Sequence, residues 1–263
     1  MAAKCNSPEK DRQFVTSLSR GLAVLACFGR ERRDLSAMEV SRLTGLPQPT
    51  VWRMCHTLLE LGYLIQVPSS ERMRPGVPVL GLGFAALAGQ PISQLATPHM
   101  QKLAEQCKGA VALGARDGLD IIYLQRCQGP SVLLTDLQVG ARVPIARSAT
   151  GWGYLAGLSP EALDSVLRAC KKQMRDQWSG WEERIHTALA EHRKVGYVLG
   201  IGVLHQEINS LSLPIVSPDG ETVMPISCGG QASVFTREAL VKLAPTVKRL
   251  ADVISLGLPE TNK

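Results

Sequence analysis

The chain has 263 residues, of which 45% are hydrophobic and 20% charged, and carries a formal net charge of +6. That length suits two domains, or one large barrel or α/β domain, and the composition excludes a disordered, collagen-like or disulfide-stapled chain. The longest apolar stretch, Val77 to Gly89, is interrupted by Pro78, Gly81 and Gly83 and falls short of the ~20 residues that a membrane-spanning helix needs. Met1 to Phe14 holds Lys4, Glu9, Lys10, Asp11 and Arg12 without the apolar centre of an export signal, so the cytoplasm is the expected compartment. Seven cysteines without any C-x-x-C pair point to reduced thiols, with no disulfide, metal or cofactor expected.

The charge is unevenly spread. Residues 1 to 80 hold 11 Lys/Arg against 7 Asp/Glu, and residues 81 to 263 hold 18 against 16. A basic excess in the shorter part is what displacing counterions from a phosphate backbone requires.

A first helix is expected from Ser17 to Phe28, with Leu18, Leu22, Leu25 and Phe28 on its core side. Ser36-Ala37-Met38-Glu39 fits a capping box, flanked by Leu35 and Val40 as a hydrophobic staple, and Gly45 can take the left-handed conformation that ends a helix. A third helix starts near Pro49, since a proline is tolerated in a first helical turn. Its apolar residues Val51, Met54, Cys55, Leu58, Leu59 and Leu61 form a buried stripe that ends at Gly62. Gln48, Thr50, Arg53, His56, Thr57 and Glu60 lie opposite, with Trp52 at the edge.

A short capped helix, a glycine turn and a helix with a polar exposed start describe a helix-turn-helix, whose second helix presents amide, hydroxyl and guanidinium donors to base edges. Any αα-hairpin with polar outer faces gives the same spacing, and the next segment decides between them. Tyr63 to Val67 reads as a strand, Pro68 to Glu71 as a turn and Arg72 to Arg74 as a returning strand. This wing would set Arg72 and Arg74 against phosphates or the minor groove. The groove-facing set is therefore Ser36, Gln48, Pro49, Thr50, Trp52, Arg53, His56, Thr57, Arg72 and Arg74.

Val79 to Ala88 is small and apolar and reads as a linker helix buried against a partner surface, broken by Gly89-Gln90-Pro91. A helix from Ile92 to Cys107 follows, then strands at Val111 to Ala115 and Ile121 to Arg126 around the turn Arg116-Asp117-Gly118. Helical patterns return at Gly153 to Ala156, Pro160 to Lys172 and Trp181 to Lys194. Ser210 to Val216 and Thr222 to Gly229 read as two strands joined at Pro218-Asp219-Gly220, and a last helix spans Arg237 to Ser255. Strands with interposed helices make this half an α+β domain.

Several stretches resemble the IclR family of bacterial transcription regulators. In the N-terminal part these are Ser17 to Leu25, Thr44-Gly45-Leu46-Pro47, Thr50-Val51-Trp52-Arg53 and Leu58 to Tyr63. In the C-terminal part they include Arg116-Asp117-Gly118, Gly140 to Pro144, Ser148-Ala149-Thr150-Gly151, Tyr154-Leu155-Ala156 and Ile226-Ser227. The resemblance implies an α-rich winged helix-turn-helix over 14–76, a linker helix over 77–91 and an α+β sensor domain similar in fold to GAF and PAS domains over 92–257. It further implies a regulator that binds double-stranded operator DNA, assembles with itself as a dimer or dimer of dimers, and responds to a small organic acid or aromatic metabolite.

The same resemblance carries an effector pocket onto Ser148, Ala149, Thr150, Gly151, Ser210 and Ser227, and Arg147, standing where the family prefers a small residue, would either pair with an acid there or point to solvent or an interface. The amides of Ala149, Thr150 and Gly151 would receive a carboxylate, as a helix N-terminus suits an anion. Gly200 and Gly229 stand where the family can carry polar side chains, which implies a roomier pocket. The rival reading is a cysteine hydrolase built from Cys228, His205 and Asp219, the residue types of a nucleophile, its base and an orienting group. Cys228 sits inside an apolar strand pattern, which favours a buried thiol, so no catalytic residue is assigned.

Overall fold

The computed structural model of the chain describes residues 13–29, 32–89, 91–130 and 137–258. The opening segment read for an export signal lies, up to residue 12, outside the described residues. Two compact units divide between residues 89 and 90.

The first unit runs α1 (Thr16–Leu25), α2 (Ala37–Thr44), α3 (Gln48–Glu60), β1 (Leu64–Gln66), β2 (Met73–Pro75) and α4 (Val77–Ala88). Ser36 caps α2: its Oγ accepts from the Glu39 amide, and the Glu39 carboxylate accepts from the Ser36 amide at 2.8 Å. The staple residues Leu35 and Val40 are buried, and Gly45 ends the helix at φ 70°. Pro49 sits in the first turn of α3, where its missing N–H costs no helical bond.

Val24, Cys27, Leu35, Val40, Val51, Cys55, Leu64 and Met73 form the core of this unit. The wing pairs β1 with β2 in antiparallel register, Ile65 opposite Arg74. Leu35 exchanges both backbone hydrogen bonds with Met73, at 2.9 and 2.8 Å, and so fastens the wing to the start of α2.

The apolar stripe of α1 differs from expectation. Leu18 and Leu22 are 62% and 57% exposed, while Val24 and Cys27 are buried. Leu25 and Phe28 of the expected stripe do pack, partly buried, against this core, so only its N-terminal half, Leu18 and Leu22, stays outside. Leu61 is also exposed, because α3 ends at Glu60 and the chain turns away before Leu61 can point inward. No residue of α4 is buried, and Val77, Leu80 and Phe84 are largely open.

The second unit runs α5 (Pro91–Cys107), β3 (Ala110–Asp117), β4 (Asp120–Gln128), β5 (Arg142–Pro144), α6 (Ala149–Ala156), α7 (Pro160–Met174), α8 (Trp178–Val195), β6 (Val198–Ile201), β7 (Ile208–Val216), β8 (Val223–Gln231) and α9 (Arg237–Ser255). Its strands form a six-stranded antiparallel sheet in the order β5-β4-β3-β8-β7-β6. Strand alternation splits the side chains between two cores. Val111, Leu113, Leu211, Ile226 and Cys228 pack in a cluster with α5 and α9. Ala112, Ile121 and Tyr123 pack in another with α6, α7 and α8.

The edge strands β5 and β6 are three and four residues long, too short to show an alternation, and the sequence reading passes over both. The helix expected from Gly153 begins at Ala149, because the Ser148 hydroxyl accepts from the Gly151 amide at 3.0 Å and starts the helix one turn earlier. Among the described residues, no helix is long and apolar enough to cross a membrane.

Candidate functional site

The first unit presents one polar helix face. Gln48, Pro49, Arg53, His56 and Thr57 are exposed and Thr50 partly so, opposite the buried Val51 and Cys55. Trp52 is 60% exposed, and its ring lies 5.4 Å from that of His56 one turn on. Exposing a tryptophan forgoes a large hydrophobic gain, so this face is laid out for a surface outside its own fold. The Thr57 hydroxyl donates to the Arg53 carbonyl at 3.0 Å, one turn back along the helix.

Three other members of the expected groove-facing set already have partners within the unit. Ser36 is held in the capping box, with its hydroxyl also 3.0 Å from the Glu39 carboxylate. Arg72 donates to the Asp34 carbonyl at 2.7 Å and to the Glu39 carboxylate at 2.9 Å. Arg74 pairs with Asp34 at 3.1 Å. Because Met73 points inward, Arg72 and Arg74 both point outward, onto the residues flanking Leu35. The sequence shows the two arginines but not the Leu35–Met73 pairing that brings Asp34 and Glu39 to them. Together these bonds hold the Glu39 carboxyl below its usual range, the Ser36 amide first and Arg72 after it.

The second unit holds a cleft that is partly open to solvent. Ser148, Ala149, Thr150, Ser210 and Ser227 line it, as do Gly200 and Gly229. Tyr123 and Arg126 line it too, and sequence reasoning missed both as site residues. For Arg126 the cause is a β-bulge. Leu113 pairs with Gln125 and Gly114 with Tyr123, which leaves Leu124 without a partner on β3. An unpaired residue shifts the alternation by one. Leu124 packs toward α5 and α9, Gln125 donates to Thr97 of α5, and Tyr123 and Arg126 face the cleft. The bulge appears as nine residues of β4 against eight of β3.

The polar groups of the cleft converge. The Tyr123 and Thr150 hydroxyls are 3.4 Å apart, and burial raises the Tyr123 phenol, so it stays protonated. Arg126, half-buried, donates to Gln128 Oε1 at 2.8 Å, and burial lowers its pKa. No Asp or Glu occurs among the described residues of the lining.

Two expected pocket residues lie elsewhere. Arg147 is exposed and outside the lining, since the turn over Ile145–Arg147 buries Ile145 and Ala146 and sends the next side chain outward. Gly151 is also absent from the lining, and its amide is already bonded to Ser148. The expected extra room at Gly200 and Gly229 does not exist either. A Cβ on Gly200 would lie 2.6 Å from that of Ala149, and one on Gly229 would lie 2.6 Å from that of Ser210 and meet the Asn209 carbonyl. These glycines let β6 approach α6 and let β8 lie close to β7.

The rival catalytic constellation does not assemble. Cys228 is 1% exposed on the sheet face away from the cleft, with its thiol raised well above the usual range by the neighbouring Cys107 thiol and by burial. His205 is exposed, and Asp219 lies in the β7–β8 turn, where its carboxylate accepts from Ser217 at 2.5 Å and from the Glu221 amide at 3.1 Å. Among the described residues, no group of three or more His, Cys, Asp or Glu is placed to hold a metal ion.

The geometry agrees with comparisons to known proteins. Residues 17–68 match the IclR helix-turn-helix domain, and residues 84–256 match the bacterial transcriptional regulator IclR C-terminal domain. The HTH-type transcriptional regulator TsaQ1/TsaQ2 of Comamonas testosteroni is 31% identical over 261 residues, covering 97% of this chain and 94% of that protein. The crystal structure of an IclR family regulator from Brucella abortus superposes with a TM-score of 0.89 at 35% identity, covering 97% of each chain. An IclR homologue from Microbacterium hydrocarbonoxydans, crystallised with 4-hydroxybenzoate, shares the fold with a TM-score of 0.69 at 22% identity, covering 91% of this chain and 98% of that one. The chain is a DNA-binding transcription regulator that belongs to the IclR family.

Proposed function

We propose that this regulator reads its operator with the exposed face of α3 and adjusts its grip on DNA when a small organic anion, of the aromatic or medium-length carboxylate class, enters the cleft of the second unit. The observation that carries the ligand class is the polar lining itself. The half-buried Arg126 guanidinium stands with the Thr150, Ser210, Ser227 and Tyr123 hydroxyls along one cleft. A guanidinium and hydroxyls that converge in this way can give an anionic ligand charge-assisted hydrogen bonds. The remaining lining residues Ala110, Ala112, Val203 and Ile208 are apolar and suit a hydrocarbon or aromatic body.

In this reading Gln48, Pro49, Thr50, Trp52, Arg53, His56 and Thr57 enter the major groove, and Arg72 and Arg74 hold the wing against the DNA backbone while bonded to Asp34 and Glu39. Residues 14–76 are the DNA-binding domain, 77–91 the linker helix and 92–257 the sensor. One winged unit touches few base pairs, so specificity requires two copies on half-sites about one helical turn of DNA, or a multiple of it, apart. The open apolar faces of α1 and α4, with Leu18, Leu22, Leu80 and Phe84, are the surfaces on which a second copy would pack.

The test is a thermal-shift and calorimetric screen of the full chain against carboxylates of increasing size, each beside its neutral methyl ester. 4-Hydroxybenzoate is the first probe. Binding of acids and not of their esters is the expected result, and an indifferent or ester-preferring protein overturns the proposal.

A further inference from the structure

On the face of the sheet turned away from the cleft, two thiols meet. Cys107 is the last residue of α5 and Cys228 lies in the middle of β8, yet their Sγ atoms are 3.7 Å apart. The two positions differ in a useful way. Cys228 is buried, whereas Cys107 is partly open to solvent at the helix end. An oxidant can therefore reach the first thiol, while the second lies behind it within reach of any sulfur-centred intermediate.

We propose that Cys107 and Cys228 form a peroxide-oxidisable pair, with Cys107 as the attacking thiol and Cys228 as the resolving one. The Cys107 sulfur attacks one oxygen of hydrogen peroxide, the O–O bond breaks, and the departing hydroxide takes up a proton to leave as water. The resulting sulfenic acid is attacked by the Cys228 sulfur. The S–S bond forms, the S–O bond breaks, and the leaving hydroxide takes the Cys228 proton as a second water. Two thiols are thus oxidised by two electrons, and one peroxide is reduced to two waters. Closing from the observed separation to a bond of about 2.05 Å asks for a movement of the helix end, which the chain leaves through Lys108 at φ 52° and Gly109.

The electrostatics favour the same order of events. The hydrogen bond with Cys228 lowers the Cys107 thiol below its usual range, which favours the nucleophilic thiolate. Burial instead raises Cys27, Cys55, Cys127 and Cys170, which makes them poor competitors for peroxide.

The site also touches the regulatory cleft. Cys228 lies between Ser227 and Gly229, which line the cleft, and Ala110, three residues after Cys107, lines it too and pairs with Gly229. A bond between the two sulfurs would tie the α5–β3 corner to β8 and so stiffen that wall. This proposal is independent of the ligand assignment, and its test uses no ligand.

The full chain is treated with one equivalent of hydrogen peroxide, alkylated, digested and mapped by mass spectrometry, with a dithiothreitol-treated half as control. The expected result is a mass loss of about 2 Da, a linked peptide pair containing Cys107 and Cys228, and a thermal midpoint that rises on oxidation and returns with dithiothreitol. Cys228→Ser should leave a sulfenic acid on Cys107 that dimedone traps and that the unaltered chain does not accumulate. Cys228→Ala, for use if the serine is poorly tolerated, removes the hydrogen bond as well as the resolving thiol, so the same trapped sulfenic acid should form but more slowly. Both cysteines recovered as free thiols, a Cys107 sulfinic acid beside a reduced Cys228, or a link joining two chains would each overturn the proposal.

Discussion

Replacing Arg126 with leucine separates a ligand-binding arginine from a structural one, because the two roles predict opposite effects. Arg126 faces the cleft from the bulged part of β4, and burial lowers its pKa. That burial works against the charge in the fold while the hydrogen bond to Gln128 works for it, so the two largely offset when the side chain is replaced. Arg126→Leu without ligand should keep its thermal midpoint or gain slightly. With a carboxylate the sign reverses. A hydrogen bond to a charged group contributes about 1.5 to 3 kcal/mol, and Arg126 is only half-buried, so screening favours the lower part of that range. The expected weakening is roughly tenfold to fiftyfold in Kd at about 1.4 kcal/mol per decade. A ligand at a hundredfold excess over Kd stabilises the folded state by about 2.7 kcal/mol, and after a fiftyfold weakening the same concentration contributes only about 0.7. Calorimetry and thermal shift with 4-hydroxybenzoate and its methyl ester, on the full chain and the variant, read both effects. A variant that binds the acid as tightly as the unaltered chain, or that unfolds without ligand, refutes the assignment.

Other substitutions probe the remaining surfaces. Arg53→Ala should weaken binding to the correct operator by about 1 to 3 kcal/mol and relax one base position, read by fluorescence anisotropy against single-base variants of the site; unchanged sequence preference would remove Arg53 from the groove. Arg72→Ala breaks the contacts to Asp34 and Glu39, so it should weaken all DNA sequences alike and also lower the melting midpoint of the winged unit, and a loss of affinity without a change in midpoint would mean that the arginine acts on DNA alone. Gly200→Ala should force α6 and β6 apart, since its Cβ would meet Ala149; a variant with an undiminished midpoint and a normal ligand response would contradict the tight-approach argument. Leu80→Asp on the open face of α4 should shift the chain toward monomer in light scattering and weaken operator binding steeply, and unaltered assembly would place the seam elsewhere.

The winged unit was legible where local chemistry decides the outcome. The capping box at Ser36, the left-handed Gly45 and the proline start of α3 each have one strongly preferred backbone solution, and the structure adopts it. Legibility failed where the answer depends on what lies opposite. Leu18 and Val24 are both apolar residues of α1, and only the tertiary core says which one faces inward. Arg72 and Arg74 looked free for DNA because nothing local reveals that Leu35 pairs with Met73.

The cleft shows the same division. Ser148, Ala149, Thr150, Ser210 and Ser227 follow a family pattern and line the cleft, whereas Arg147, which departs from that pattern, points away. Arg126 escaped notice because a bulge at Leu124 breaks the period-two rule on which strand reading rests. The glycines at 200 and 229 looked like space in the sequence and are close contacts in the fold.

The most direct test of the central claim is an anisotropy titration of the full chain on an operator found by footprinting upstream of its own gene, run with and without a carboxylate that the thermal screen identifies. A ligand changes DNA affinity only if it binds the DNA-competent and incompetent arrangements unequally. The account predicts a salt-sensitive operator complex whose affinity shifts with the acid, does not shift with its methyl ester, and loses the shift in Arg126→Leu while keeping DNA binding. An operator affinity that the acid leaves unchanged, or a response that survives intact in Arg126→Leu, would contradict it.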